Sequence, residues 1–255
     1  MEWYPTPSYL LKRQALLEQL AAIPGRKVLE IGCGAGDLLA VLGSLGYSGI
    51  GIDISVEARD AARKRVGDGP VRVDDRAFED ITERYEVIIA SEVIEHIEDD
   101  VGLLREIKAR LVPGGTLLLT VPAHMSRWGA NDDFSGHLRR YERDELAAKV
   151  QLAGFTVDRL SSYGVPLYNL MKPLYDRAIT RKIDDAADVE QRTKLSSGMW
   201  LCTDRQQLFS LLFNDVTMWI FYKLQQLFYH TDLGNGYFLT AHTTNNGDSS
   251  CNDSR

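Results

Sequence analysis

Val28-Leu29-Glu30-Ile31-Gly32-Cys33-Gly34-Ala35-Gly36-Asp37 is an apolar run that enters a loop with glycine at every second position. Glycine there lets the backbone turn tightly and approach a ligand with no Cβ in the way. Asp53 closes the next apolar run, 17 positions beyond Gly36, where a carboxylate can accept both ribose hydroxyls of a nucleoside. A dinucleotide loop would place a third glycine where this chain has Asp37. A carboxylate at that place repels a pyrophosphate, as does Glu30, and both suit a ligand carrying a sulfonium and an ammonium. Loop and acid together predict a nucleoside-containing cofactor.

Working outward, short apolar β-branched runs alternate with amphipathic stretches from Lys27 to Val121, the pattern of a parallel sheet covered by helices. Strands are predicted at Val28 to Ile31, Gly49 to Asp53, Val71 to Val73, Glu86 to Ala90 and Thr116 to Val121. Helices fit between them over Gly36 to Leu45, Val56 to Val66 and Asp100 to Leu111, with Gly46, Gly67 to Pro70 and Pro113-Gly114-Gly115 as the intervening turns. A polar loop, His124 to Tyr141, then precedes a helix over Arg143 to Leu152 and a strand at Phe155 to Leu160. There the alternation stops, giving way to an aromatic-rich helical pattern before a last strand at Tyr237 to Ala241. The predicted class is α/β: a Rossmann-like, mostly parallel seven-stranded sheet, helices on both faces, and a helical insertion before the last strand. Its predicted parts are an N-terminal helical segment over the cofactor site (1–26), the core (27–163 with 236–242), a helical cap (164–235) and a disordered tail (243–255) with little to bury.

Hydrophobic residues make up 44% of the 255 positions and charged ones 25%, which excludes disorder for most of the chain. Lys and Arg number 29 against 36 Asp and Glu, a net charge of −7, so a nucleic-acid partner is not expected without a local basic patch. The cysteines, Cys33, Cys202 and Cys251, are far apart and odd in number, which suits reduced thiols in a cytoplasm. The first residues lack the basic start and apolar run of a secretory signal. Leu208 to Tyr229, the most apolar later stretch, is too interrupted by polar residues to span a bilayer.

The glycine loop, Asp53 and the Leu111-Val112-Pro113-Gly114-Gly115-Thr116-Leu117 turn together resemble the class I S-adenosylmethionine-dependent methyltransferases over about residues 27 to 160. The resemblance implies that Glu30, Gly32, Gly34 and Gly36 wrap the amino-acid part of S-adenosylmethionine, that Asp53 holds the ribose and that Ile54 packs on the adenine. It also implies an acid near the end of the third strand on the adenine amino group. Asp74 and Asp75 compete for that role, and Asp75 is favoured because Arg76-Ala77-Phe78 follows it.

Ser91-Glu92-Val93-Ile94-Glu95-His96-Ile97 ends the fourth strand, and Ser91 is expected among the cofactor-binding residues. If a helical turn starts there, Glu92, Glu95 and His96 share one face. The segment is similar to that of the ubiquinone-biosynthesis O-methyltransferases and of small-RNA 2′-O-methyltransferases. The resemblance implies that Glu92, Glu95, His96 and the later His137 hold a divalent cation such as Mg²⁺, which would acidify a substrate hydroxyl. The reading favoured over it makes the glutamates capping or hydrogen-bonding groups, with no metal held. His96 or His137 then serves as general base, an imidazole being suited to deprotonating a hydroxyl.

Trp3, Tyr4, Tyr9 and Arg13 are expected over the cofactor mouth. The insertion's aromatics, among them Tyr168, Tyr175, Trp200, Phe209, Phe213, Trp219 and Tyr222, suit a cap over an apolar substrate first, a homodimer interface second and a membrane-surface helix third. Arg139 and Arg140 read as a solvated basic pair before an anion site. The leading function is methyl transfer from S-adenosylmethionine to an oxygen of a small, partly apolar molecule. N- or C-methylation, a catalytically silent cofactor-binding regulator and, least favoured because of Asp37, a nicotinamide dehydrogenase are the alternatives.

Overall fold

A computed structural model describes residues 5–180 and 212–244. Helix α1 (Pro7–Leu20) starts where Thr6 Oγ1 accepts the Tyr9 amide and Pro7 fixes φ in the first turn. After it come β1 (Lys27–Ile31), α2 (Asp37–Ser44), β2 (Ser48–Ile52), α3 (Val56–Val66), β3 (Val71–Val73), β4 (Tyr85–Ser91) and α4 (Asp100–Ala109). The chain continues with β5 (Leu111–Pro122), α5 (Ala130–Ser135), α6 (Arg143–Leu152), β6 (Thr156–Tyr163), α7 (Leu167–Thr180), α8 (Trp219–Gln226) and β7 (Gly236–His242). Ser55 and Asp99 start α3 and α4 by accepting the amides of Ala58 and Gly102.

The strands form one sheet in the order β3-β2-β1-β4-β5-β7-β6, parallel except for β7, which runs antiparallel to both neighbours. Alternation along β1 sends Leu29 and Ile31 to one face, where they join Ile88, Leu104, Ile107 and Leu117. Val28 goes to the other face and packs with Leu16, Leu20, Leu38 and Leu42 of α1 and α2. Glu30, two residues on, therefore stands on the α1 face at the strand's end. The sheet order reverses between β1 and β4, and the crevice outside the carboxyl ends at such a switch point is where open α/β sheets bind ligands. The glycine loop after β1, Asp53 after β2 and Ser91-Glu92 at the end of β4 all open onto it.

All seven predicted strands are present, with differences at their edges. Leu111 already pairs with Tyr85, so Pro113-Gly114-Gly115 is an irregularity inside β5 rather than a turn before it. The loop predicted over His124 to Tyr141 contains a 3-10 turn (Met125–Arg127) and α5. Thr243, assigned to the disordered tail, is buried, because its amide extends the β5 pairing by donating to the Gly115 carbonyl. Of the residues predicted to have roles at the mouth or in the cap, Trp3, Tyr4, Trp200 and Phe209 lie outside the described residues. No described helix is long and apolar enough to cross a membrane.

Candidate active site

At the switch point the loop after β1 holds Gly32, Gly34 and Gly36 at φ 72°, 51° and 75°, left-handed values that disfavour a side chain. The Gly34 amide donates to Asp53 Oδ2 at 2.9 Å and the Ser55 amide to Asp53 Oδ1 at 2.8 Å, so the acid after β2 is locked to the loop after β1. Burial pushes the Asp53 carboxyl up from its ordinary value, partly countered by these amides. Gly36 also packs closely on α3. A Cβ there would stand 2.8 Å from the Ala62 Cα, so this glycine serves the contact of α2 with α3.

Glu30 lines the cleft and is only 3% exposed, and its Oε2 has no hydrogen-bond partner. Burial, with Asp37 and Asp53 nearby, holds its carboxyl well above the usual carboxylate range. A buried acceptor left this way is unfavourable by about 1–3 kcal/mol, so a donor from a ligand is called for. The left-handed glycines and the unpartnered acid fit the amino-acid part of S-adenosylmethionine, whose ammonium would satisfy Glu30. Helix α1 closes this end with Tyr9, Lys12 and Arg13. Arg13 reaches Asp37 at 2.5 Å and grips Asp215 with two bonds of 2.6 and 2.7 Å, while Arg65 reaches Asp37 at 3.0 Å. Asp37 is thus neutralised by two arginines and is not the bare negative charge that its place in the loop suggested.

The adenine end is less assembled. Ile54 is 62% exposed and free to pack on a planar ring. Asp75 is bonded to Arg59 and Arg63, and Asp74 is held by Arg76.

At the other end, Ser91 Oγ shares a hydrogen with Thr120 Oγ1 at 2.9 Å and lines the cleft. The helical face expected for Glu92, Glu95 and His96 does not form. Glu92 is left-handed at φ 57°, Val93 is non-helical, and only a 3-10 turn (Ile94–His96) follows. The reversal at Glu92 sends its carboxylate to the Tyr163 hydroxyl, which donates at 2.9 Å. Glu95 is fully buried with both oxygens unpartnered, and burial beside Glu92 holds its carboxyl well above the usual range. His96 Nδ1 donates to the Gly136 carbonyl at 3.2 Å and His137 Nδ1 bonds Asp132 at 2.8 Å, with the two rings edge to face at 4.9 Å. Burial and the neighbouring His137 push the His96 imidazole down to about 4, so it is neutral at pH 7. One ligand atom from each of Glu95, His96 and His137 lies within 4.8 Å of the other two, and Glu92 is not part of this group. His137 Nε2 stands 3.8 Å from Glu95, too far for a hydrogen bond.

Arg139 and Arg140 are not a solvated pair: Arg139 bonds Asp100, and Arg140, 2% exposed, bonds Asp132 and the Ala123 carbonyl. Sequence reading missed Tyr163 and Asp132, since each meets its partner through a contact that no local spacing announces. Helix α5 and its left-handed closing residue, Gly136, were the available hint.

The methyltransferase domain family matches residues 8–160. The chain belongs to this family. The ubiquinone biosynthesis O-methyltransferase of Actinobacillus pleuropneumoniae serotype 7 (strain AP76) is 33% identical over 106 residues, covering 38% of this chain and 45% of that protein. The enzyme of the same name from Nitrobacter winogradskyi is 38% identical over 103 residues, covering 38% of this chain and 39% of that one. The chain therefore spans less than half the length of these relatives. Among solved structures, an S-adenosylmethionine-dependent methyltransferase from Mesorhizobium loti superposes with a TM-score of 0.55 at 12% identity, covering 93% of this chain and 98% of that one. Magnesium protoporphyrin IX methyltransferase from Synechocystis, solved with S-adenosylhomocysteine, gives 0.54 at 16% identity over 66% of this chain and 85% of that one. These two likenesses concern the fold.

Proposed function

We propose that this methyltransferase moves the sulfonium methyl of S-adenosylmethionine to an oxygen of a small, partly apolar molecule. The observation that carries the reading is the pair of imidazoles at the acceptor end. Each is hydrogen-bonded through Nδ1, and each leaves Nε2 without a hydrogen-bond partner among the described residues. Tyr163 and Tyr168 line the same cleft and offer apolar surface to an acceptor. At the cofactor end Glu30 would take the ammonium and Asp53 the ribose hydroxyls, Gly32 and Gly34 would allow close approach, Ser91 would border the methionine chain, and Ile54 would pack on the adenine. As the acceptor oxygen forms its bond to the methyl carbon, the carbon–sulfur bond breaks to leave S-adenosylhomocysteine. The hydroxyl proton passes to an imidazole Nε2 of His96 or His137. Helix α1 and the segment after β6 would hold the reactants together and exclude water, which supplies much of the rate in such a displacement.

A second reading, a divalent cation held by Glu95, His96 and His137, is favoured by one observation: a buried carboxylate with two orphan oxygens beside two bare imidazole nitrogens. Bound there, the cation would lower the pKa of the acceptor hydroxyl. Glu92, occupied by Tyr163, would not be a ligand.

Both readings are tested by incubating the protein with a cell extract and methyl-labelled S-adenosylmethionine, with and without excess chelator, and identifying labelled products by mass spectrometry. Label on the oxygen of a small molecule is the expected result, and label only on nitrogen, carbon or a macromolecule defeats the proposal. Full turnover in chelator removes the cation and leaves the imidazoles as bases.

A further inference from the structure

Asp132 has no exposed surface although α5, which carries it, is only six residues long and flanks the cleft. Its Oδ1 accepts from His137 Nδ1 at 2.8 Å and from Arg140 Nε at 2.8 Å, and its Oδ2 accepts the Gly129 amide at 2.8 Å. The backbone repeats the attachment. Gly136 turns at φ 73°, and the His137 amide donates to the Asp132 carbonyl at 3.0 Å. Arg140 is anchored in turn on the Ala123 carbonyl, just past β5, at 2.9 Å.

A buried carboxylate is unfavourable unless its partners are fixed in good geometry, and here all three are. Asp132 already accepts from Arg140 Nε and from the Gly129 amide, as a carboxylate does. The hydrogen in its bond to His137 then sits on Nδ1, and in the neutral imidazole this makes Nε2 the lone-pair nitrogen, on the side of Glu95 and His96.

We propose that Asp132 is a positioning residue for methyl transfer, fixing His137 as its Nδ1–H tautomer and aiming the bare Nε2 at the acceptor. The inference rests on the reading of the acceptor end given above. Arg140 then acts one step further out, where its guanidinium holds Asp132 in place and is not a site for an anionic substrate group. Such outer partners commonly set which nitrogen of a working histidine is available.

The proposal is tested by nitrogen NMR of the full chain with ¹⁵N-labelled histidine rings at neutral pH, together with calorimetry using S-adenosylhomocysteine. In the unsubstituted protein His137 is expected as the Nδ1–H form, with Nε2 showing the shift of an unprotonated nitrogen. In Asp132→Asn three donors face an amide with one acceptor oxygen, so the Nε2–H to Nδ1–H ratio of His137 should rise roughly tenfold or more. His96, held by the Gly136 carbonyl, should keep its tautomer, and S-adenosylhomocysteine affinity should change by less than about twofold because Asp132 does not line the cofactor end. An Nε2–H form in the unsubstituted protein overturns the proposal whether or not the variant folds, and so does an unchanged tautomer in a folded variant. Failure to bind S-adenosylhomocysteine with the His137 tautomer as described would instead defeat the cofactor assignment.

Discussion

Glu30 is a carboxyl group buried beside two other acids, Asp37 and Asp53, and one of its oxygens has no partner. Its folded pKa is raised, so above the ordinary glutamate value the native state holds its proton more tightly than the unfolded chain does. The penalty is absent below the ordinary glutamate pKa of about 4.3 and grows as pH rises toward the folded value. Glu30→Gln should therefore raise the stability of the ligand-free protein at pH 7 and leave it nearly unchanged near pH 4. It should also weaken S-adenosylhomocysteine binding by about 1.5–3 kcal/mol, the scale of a hydrogen bond to a charged group. Thermal unfolding at the two pH values and calorimetry check both, and equal stability changes at both pH values would show that Glu30 is not the buried, unpaired acid described. At this scale the sequence was most informative where the chemistry is local. A strand end adjoins its glycines and the next strand's acid follows one helix later, and Glu30, Gly32, Gly34 and Asp53 meet in one cleft. What a local motif does not show is the further company these residues keep: Asp75 pairs with surface arginines, and Gly36 packs on a facing helix.

Helix α1 ties elements distant in sequence. Arg13 bridges Asp37 at the start of α2 to Asp215 before α8, while Leu10 and Leu11 pack with Met218 and Tyr222. The sequence placed a helical segment ahead of the first strand. It did not show that one arginine would serve two carboxylates from opposite halves of the chain, since that depends on how the insertion folds back. The two bonds differ in setting: the Arg13 and Asp37 side chains are 7% and 13% exposed, whereas Asp215 is 64% exposed. Arg13→Met should therefore destabilise the protein by about 3 kcal/mol, the cost of leaving a buried partner uncompensated, reduced in so far as Arg65 still serves Asp37. Asp215→Asn should cost less than about 1 kcal/mol. Urea denaturation of the two variants decides it. Equal small losses would mean that α1 is held by its leucines alone. The Glu92 to His96 segment follows the same logic at shorter range. Its residues were found from spacing, but a left-handed Glu92 replaced the assumed helical turn and split one expected cluster into a Tyr163 pair and a Glu95–His96–His137 group.

Across the whole molecule, the cleft takes walls from three places: α1 through Tyr9 and Lys12, the sheet ends from Glu30 to Glu92, and the end of β6 with the chain after it through Tyr163 and Tyr168. The reversal of strand order between β1 and β4 opens it, and antiparallel β7 brings β6 alongside so that Tyr163 arrives at the same edge. The alternating pattern made the sheet legible, because a strand buried on both faces is written as a continuous apolar run. The third wall was not legible, since aromatic helices serve a cap, an interface or a membrane surface equally well. Ligand linkage separates a real wall from a bystander. S-adenosylhomocysteine at about a hundred times its dissociation constant should stabilise the chain by roughly 2.7 kcal/mol. If all three walls close on one site, hydrogen exchange should slow together in α1 around Tyr9 to Arg13, in the loop from Gly32 to Gly36 and in the stretch from Tyr163 to Tyr168. Protection limited to the glycine loop would leave α1 and the β6 extension outside the cofactor site. Protection of the loop and α1 alone would assign the Tyr163 segment to the acceptor, and the same slowing should then appear only when an acceptor is added.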